Sequence, residues 1–190
     1  MKQLRLPIFN SKIKYYNLRI VPPAAVFDKV TEFKKEFEDQ FGKLPLSGSK
    51  PHITLAQFKM NSKYEDLLIQ VFDELSEEGK FKVQIDGFGV FENSRTFLLQ
   101  ICKNEVIEEI HKKLNHLRAQ HLKRRLHAFS ISHIPHMTIS KTTGKRMLYE
   151  SLQHFQAKNY FEDITVQYLS LVTRTKYRPW ELRHEIKLSE

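Results

Sequence analysis

Pro51-His52-Ile53-Thr54-Leu55 and Pro135-His136-Met137-Thr138-Ile139 are two copies of one pattern, one in each half of the 190-residue chain. Residues at i and i+2 of a strand share a face. Each copy therefore sets an imidazole beside a hydroxyl, while Ile53 and Leu55, or Met137 and Ile139, turn toward a core. Nine histidines and nine threonines predict only about 0.4 His-x-Thr pairs by chance, and here both pairs follow a proline.

Working outward, the segments around the two copies fall in the same order. IKYYNLRIV (13–21) alternates like a strand and ends at Pro22-Pro23. Val26, Val30, Phe33, Phe37 and Phe41 recur at helical spacing, and Gly42 is placed to stop that helix. After the first His-x-Thr strand, Ser62-x-x-Glu65 has the form of a capping box opening a second helix. FKVQIDGFGVF (81–91) is the strand that follows. The second half gives a strand at 95–103, a helix marked by Ile107, Ile110, Leu114 and Leu117, and the second motif strand. A helix around Leu148, Leu152 and Phe155 and a strand at 163–174 then follow. The expectation is a duplicated β-α-β-α-β unit, halves 12–91 and 95–188, paired about a pseudo-twofold axis so that the motif strands flank one cleft. Trp180, Leu182, His184, Ile186 and Leu188 predict a closing antiparallel strand, joined to the preceding one through the turn TKYRP.

Composition bounds the setting. The length suits one domain over 1–190, and a monomer is the expectation for a site internal to one chain. Cys102 is alone, no apolar run reaches membrane-span length, and MKQLRLPIFNSK lacks a signal-type apolar stretch. These features predict a cytoplasmic protein without membrane attachment. The net charge of +9 favours anionic partners, nucleic acid first among them.

Two facing imidazoles suit acid–base work near neutral pH, because histidine's ordinary pKa of about 6.5 populates both protonation states. Placed around a phosphodiester, one of His52 and His136 would take a proton from the attacking oxygen and the other would give one to the departing oxygen. Thr54 and Thr138 would hydrogen-bond the non-bridging oxygens. Near-symmetry leaves the two histidine roles unassigned. The scheme needs no metal and no cofactor. The chain has no His-Glu-x-x-His and no cysteine cluster, and His111, His116 and His121 follow at five-residue intervals that do not chelate from one helix face.

Around that centre, five residues are candidate substrate contacts. Lys141 follows the second motif with the wrong parity to share its face, unless the strand end is irregular. His133 is placed to reach the cleft rim, and Arg178 sits in the hairpin turn. Tyr16 and Phe58, aromatics near strand ends, could stack a base or fill core. His184 is expected to face inward as a structural residue.

With both motifs and the closing Pro179-Trp180-Glu181-Leu182 in view, the sequence resembles the 2H phosphoesterase superfamily, and within it the 2′-5′ RNA ligase-like proteins. That resemblance implies a bilobal α+β fold, with two antiparallel-rich sheets lining a central cleft. It implies metal-independent phosphoester chemistry on RNA ends or small cyclic-phosphate nucleotides, as a 2′,3′-cyclic phosphodiesterase. A 2′-5′ ligase, or a phosphodiesterase of 2′,5′-linked or cyclic oligonucleotides, would use the same residues. By position, His52 and His136 become the acid–base pair and Thr54 and Thr138 the phosphate-binding hydroxyls. Ala56-Gln57-Phe58-Lys59 and Ser140-Lys141 depart from the patterns common after the two motifs, which leaves the substrate open. A basic RNA-binding module without turnover is the contrasting reading, although binding alone has no need of two matched proton-transfer groups.

Overall fold

Both Pro-His-x-Thr segments enter strands, β2 (Ile53–Asn61) and β6 (His136–Lys141), which meet at the middle of a long sheet through the antiparallel pair Ile53–Met137. The computed structural model describes residues 12–190, so the amino-terminal segment read for a signal peptide lies almost wholly outside the described residues. Besides β2 and β6 these comprise β1 (Ile13–Ile20), α1 (Ala24–Phe41), α2 (Glu65–Asp73), β3 (Phe81–Phe91), β4 (Thr96–Ile101), α3 (Glu105–Leu117), β5 (Leu126–Ile131), α4 (Lys145–Gln156), β7 (Phe161–Val166), β8 (Tyr168–Arg174) and β9 (Glu181–Lys187). No helix among them is long and apolar enough to cross a membrane.

The strand order β7-β3-β4-β6-β2-β1-β8-β9 is antiparallel throughout, with β5 as a further partner of β2. The fold is therefore the expected α+β arrangement of antiparallel strands and helices, with the two motif strands at its centre. The two sheets are continuous, however, and the lobes do not follow the chain halves. β3, from the first half, pairs with β4, whereas β8, from the second, pairs with β1. The first half thus gives its last strand, β3, and the second half its last two, β8 and β9, to the other half's sheet. Helix α1 crosses over too, whereas α2 stays with its own half. Phe33 and Phe37 of α1 pack on Phe88 and Phe97 of the β3–β4 sheet, together with Phe155 of α4. Phe72 of α2 meets Phe58 of β2.

Local rules account for most elements. Val26, Val30, Phe33 and Phe37 are the buried stripe of α1, which ends at Gly42 in a positive-φ conformation (85°) with its N–H donating to Glu38 O. The predicted capping box does not form. Asn61 Oδ1 caps a short 3₁₀ turn instead, and Glu65 is drawn away by Lys14, Tyr16 and Arg183. The single strand expected over 163–174 breaks at Gln167 into β7 and β8, which lie in opposite lobes. His184 does not face inward as expected: it is half-buried, with Nε2 2.6 Å from the exposed Asp73 at the end of α2.

Candidate active site

One cavity of about 820 Å³ lies over the central strands, and His52, Thr54, His136 and Thr138 all line it. Strand alternation does the placing. Ile53, Leu55, Met137 and Ile139 are fully buried on the opposite face, which fixes the direction of the residues between them. Phe91 packs edge-on against the His136 ring at 4.8 Å.

The two imidazoles are held alike. His52 Nδ1 lies 2.7 Å from Lys50 O, and His136 Nδ1 lies 2.8 Å from Ile134 O. A carbonyl only accepts, so Nδ1 must carry hydrogen in both rings, leaving Nε2 as the nitrogen available to a ligand. Thr54 is oriented in turn. Arg19 Nε donates to Asn17 Oδ1 at 3.0 Å, which fixes the amide, and Asn17 Nδ2 donates to Thr54 Oγ1 at 3.3 Å. With that lone pair occupied, the Thr54 hydroxyl hydrogen is free for an acceptor in the cavity.

The electrostatics are one-sided, since Arg19, Lys50 and Arg174 line the cavity and, among the described residues, no Asp or Glu does. Burial lowers the pKa of both histidines, but not equally. His52 falls to about 4, pushed down by desolvation and further by Arg19, Lys34 and His136. His136 is lowered by desolvation alone, against which its bond to Ile134 O acts. Lys34 is itself buried, donating to Ile139 O, Leu46 O and Ser49 Oγ, so it ties the loop before His52 to the strand of His136. No group of three metal-ligating side chains occurs among the described residues.

Sequence comparison decides the family. The model of the 2′-5′ RNA ligase superfamily matches residues 22–178. The chain belongs to the 2′-5′ RNA ligase superfamily. No curated protein sequence matches it. Solved structures share its fold. E. coli LigT complexed with 3′-AMP superposes with a TM-score of 0.65 at 14% identity, covering 94% of this chain and 100% of that one. LigT complexed with phosphate gives 0.63 at 15% identity, with 95% and 100% covered. TT0787 of Thermus thermophilus gives 0.60 at 14%, with 92% and 97% covered.

Within this 2′-5′ RNA ligase superfamily fold, the five outer candidates fare differently. Tyr16 and Phe58 are core residues, 1% and 2% exposed, with rings stacked 5.3 Å apart, and neither reaches the cavity. Phe58 has the parity of His52 and Thr54, but a bulge intervenes. Leu18 pairs with Ala56 and Arg19 with Thr54, so Leu55 is an extra residue and Gln57 takes the cavity face instead. The matching bulge on β6 works in the other direction. Leu98 pairs with Thr138 and Phe97 with Ser140, which brings Lys141 opposite the cavity-lining Thr96, exposed and not itself lining the cavity. His133 lies beside His111 and lines a shallower depression next to His136, outside the main cavity. Arg178 lies behind Arg174 in the hairpin turn and does not line the cavity. Sequence reasoning passed over Asn17, Arg19, Arg174 and Trp180, all of which do. The first two carried a signal, as polar residues of one parity inside the apolar strand YYNLRIV.

Proposed function

We propose that the protein is a metal-independent phosphodiesterase acting on RNA ends or small nucleotides, opening 2′,3′-cyclic phosphates by two-histidine acid–base catalysis. The observation that carries this reading is the pair of identically tethered imidazoles lining one acid-free cavity, each with Nε2 left for a ligand. Membership of a phosphoester-handling superfamily is in accord with it.

The unequal surroundings of the rings favour one division of roles. His52, among cations and the more depressed, is neutral at working pH and takes the proton from water as the oxygen attacks phosphorus. His136, free of that cationic pressure, is the more readily protonated, and a bound phosphate anion favours its charged form. It donates its Nε2 proton to the ribose oxygen as the P–O bond breaks, leaving a phosphomonoester and a free hydroxyl. Solvent then removes the proton from His52 and restores the one on His136. Thr54 and Thr138 donate to the non-bridging oxygens, where charge builds in the transition state.

The test is hydrolysis of an oligonucleotide 2′,3′-cyclic phosphate in the presence of EDTA. Turnover is expected to persist with the chelator. His52→Ala and His136→Ala are each expected to lose about 10²–10⁴-fold in kcat while melting as cooperatively as the parent. Dependence on added metal, or full activity in either variant, would refute the mechanism.

A further inference from the structure

Arg19 is 5% exposed, and its Nη2 is buried without a hydrogen-bond partner. Arg174 Nε is likewise buried and unpartnered. Neither makes an ion pair among the described residues, where every salt bridge falls on other side chains. Both guanidinium groups instead lie against one aromatic ring, at 5.1 Å (Arg19) and 4.4 Å (Arg174) from the centroid of Trp180. A π face attracts a cation but does not accept these in-plane N–H groups. Two like charges are thus gathered in a partly dry corner of the cavity, each with one buried N–H left without an acceptor, an arrangement that costs stability unless an anion completes it. Burial and the nearness of Arg174 already lower the Arg19 pKa to about 10.

The position of this corner says which anion. The scissile group lies with His52, His136 and the two threonines. Arg174 ends β8 opposite Tyr15, four residues along β1 from Arg19. At about 3.3 Å per strand residue, that is roughly 13 Å farther along the sheet, toward the turn that carries Trp180. Arg19 sits next to the catalytic residues, paired across the strands with Thr54. The two side chains start from opposite ends of the cavity, and their guanidinium groups converge on Trp180, beside the catalytic residues.

We propose that Arg19, Arg174 and Trp180 form a subsite for a second phosphate of the substrate, one nucleoside unit away from the scissile group. The subsite rests on the phosphodiesterase reading and narrows its substrate class to nucleotides or RNA ends that carry a further phosphate, such as a 5′-phosphate. Arg supplies the planar fork that phosphate oxygens fill in pairs, and Trp180 stiffens both forks and offers a stacking face beside them.

The experiment compares kcat/KM for a nucleoside 2′,3′-cyclic phosphate with that for the same compound bearing a 5′-phosphate. The protein is expected to prefer the 5′-phosphorylated compound by about ten-fold or more, and Arg174→Gln to reduce that ratio to about one. Arg174→Lys, which keeps the charge without the fork, should retain part of the preference. A ratio near one in the unaltered protein would overturn the subsite while leaving the hydrolase reading intact. So would an Arg174→Gln loss that is equal on both compounds, since the arginine would then serve the scissile phosphate or the fold. If neither compound is turned over, the hydrolase reading fails and binding decides the subsite. Trp180 is the chain's one tryptophan, so its emission in His52→Ala can be titrated with a nucleoside 5′-monophosphate. A saturable change that disappears with Arg174→Gln supports the subsite, and no saturable change up to millimolar ligand overturns it.

Discussion

The Nδ1-to-carbonyl tethers on His52 and His136 show how little separates two chemically identical side chains before their neighbours act on them. Both lose their charge more readily than a free imidazole because both are partly dry. Arg19 and Lys34 then bear on His52 alone. The consequence is a pH profile displaced to the acid side. With neutral His52 as base and protonated His136 as acid, kcat/KM of the free enzyme should fall as pH drops toward about 4, where His52 gains its proton. It should fall again as pH rises through the lowered pKa of His136, so the optimum lies below the ordinary histidine value of about 6.5. Arg19→Gln removes a nearby positive charge, which raises the His52 pKa and moves the acid limb to higher pH. Initial-rate profiles of the two proteins check both statements, and an optimum above pH 7.5 would contradict the assignment of roles.

At the scale of elements, the two bulges decide which side chains reach the cavity. A strict period of two predicts Phe58 beside Thr54 and removes Lys141 from the face of Thr138. One extra residue in each motif strand reverses both outcomes. Nothing in ITLAQFKMN or HMTISK announces such a bulge, because it depends on the register of the neighbouring strand. β5 was equally hidden. In LHAFSI the alternation is interrupted by Ala128 at positive φ (50°), and the segment becomes a strand only because β2 offers it an edge. Close approach between strands has its own requirement at Gly89, where an added Cβ would stand 2.6 Å from Gln100 Cγ on the paired strand β4. Gly89→Ala is therefore expected to cost about 1–3 kcal/mol, and Gln100→Ala in the same chain to recover most of it. Denaturant unfolding of the two single variants and the double variant measures that coupling.

Across the whole molecule, the exchange of last strands makes the two lobes interdependent. The β2-β1 sheet is completed by β8 and β9 from the far end of the chain, and the β6-β4 sheet by β3 from the first half. A fragment ending after β3 would lack β8, one of the two partners of β1, and would leave β3 without either of its partners, β4 and β7. Residues 12–93 expressed alone are accordingly expected to show no cooperative thermal transition. The full chain is expected to unfold in one step, with far-UV circular dichroism and Trp180 fluorescence coinciding. A folded, cooperative 12–93 fragment would contradict this account of the topology.

The sequence by itself determined the elements that local rules govern. The helical stripe of Val26, Val30, Phe33 and Phe37 was legible because burial repeats with the helix period, and the two His-x-Thr strands because alternation fixes a face. The doubled motif also singled out His52, Thr54, His136 and Thr138, the four residues now found around one cavity. Only the tertiary structure decided what depends on contacts between distant segments: the exchanged strands, the bulges that put Gln57 rather than Phe58 on the cavity wall, and the gathering of Arg19 and Arg174 on Trp180. It also made the histidines unequal. Spelling and spacing render them equivalent, whereas a pKa answers to charges and solvent brought close by the fold, and Arg19 and Lys34 act on His52 without acting comparably on His136.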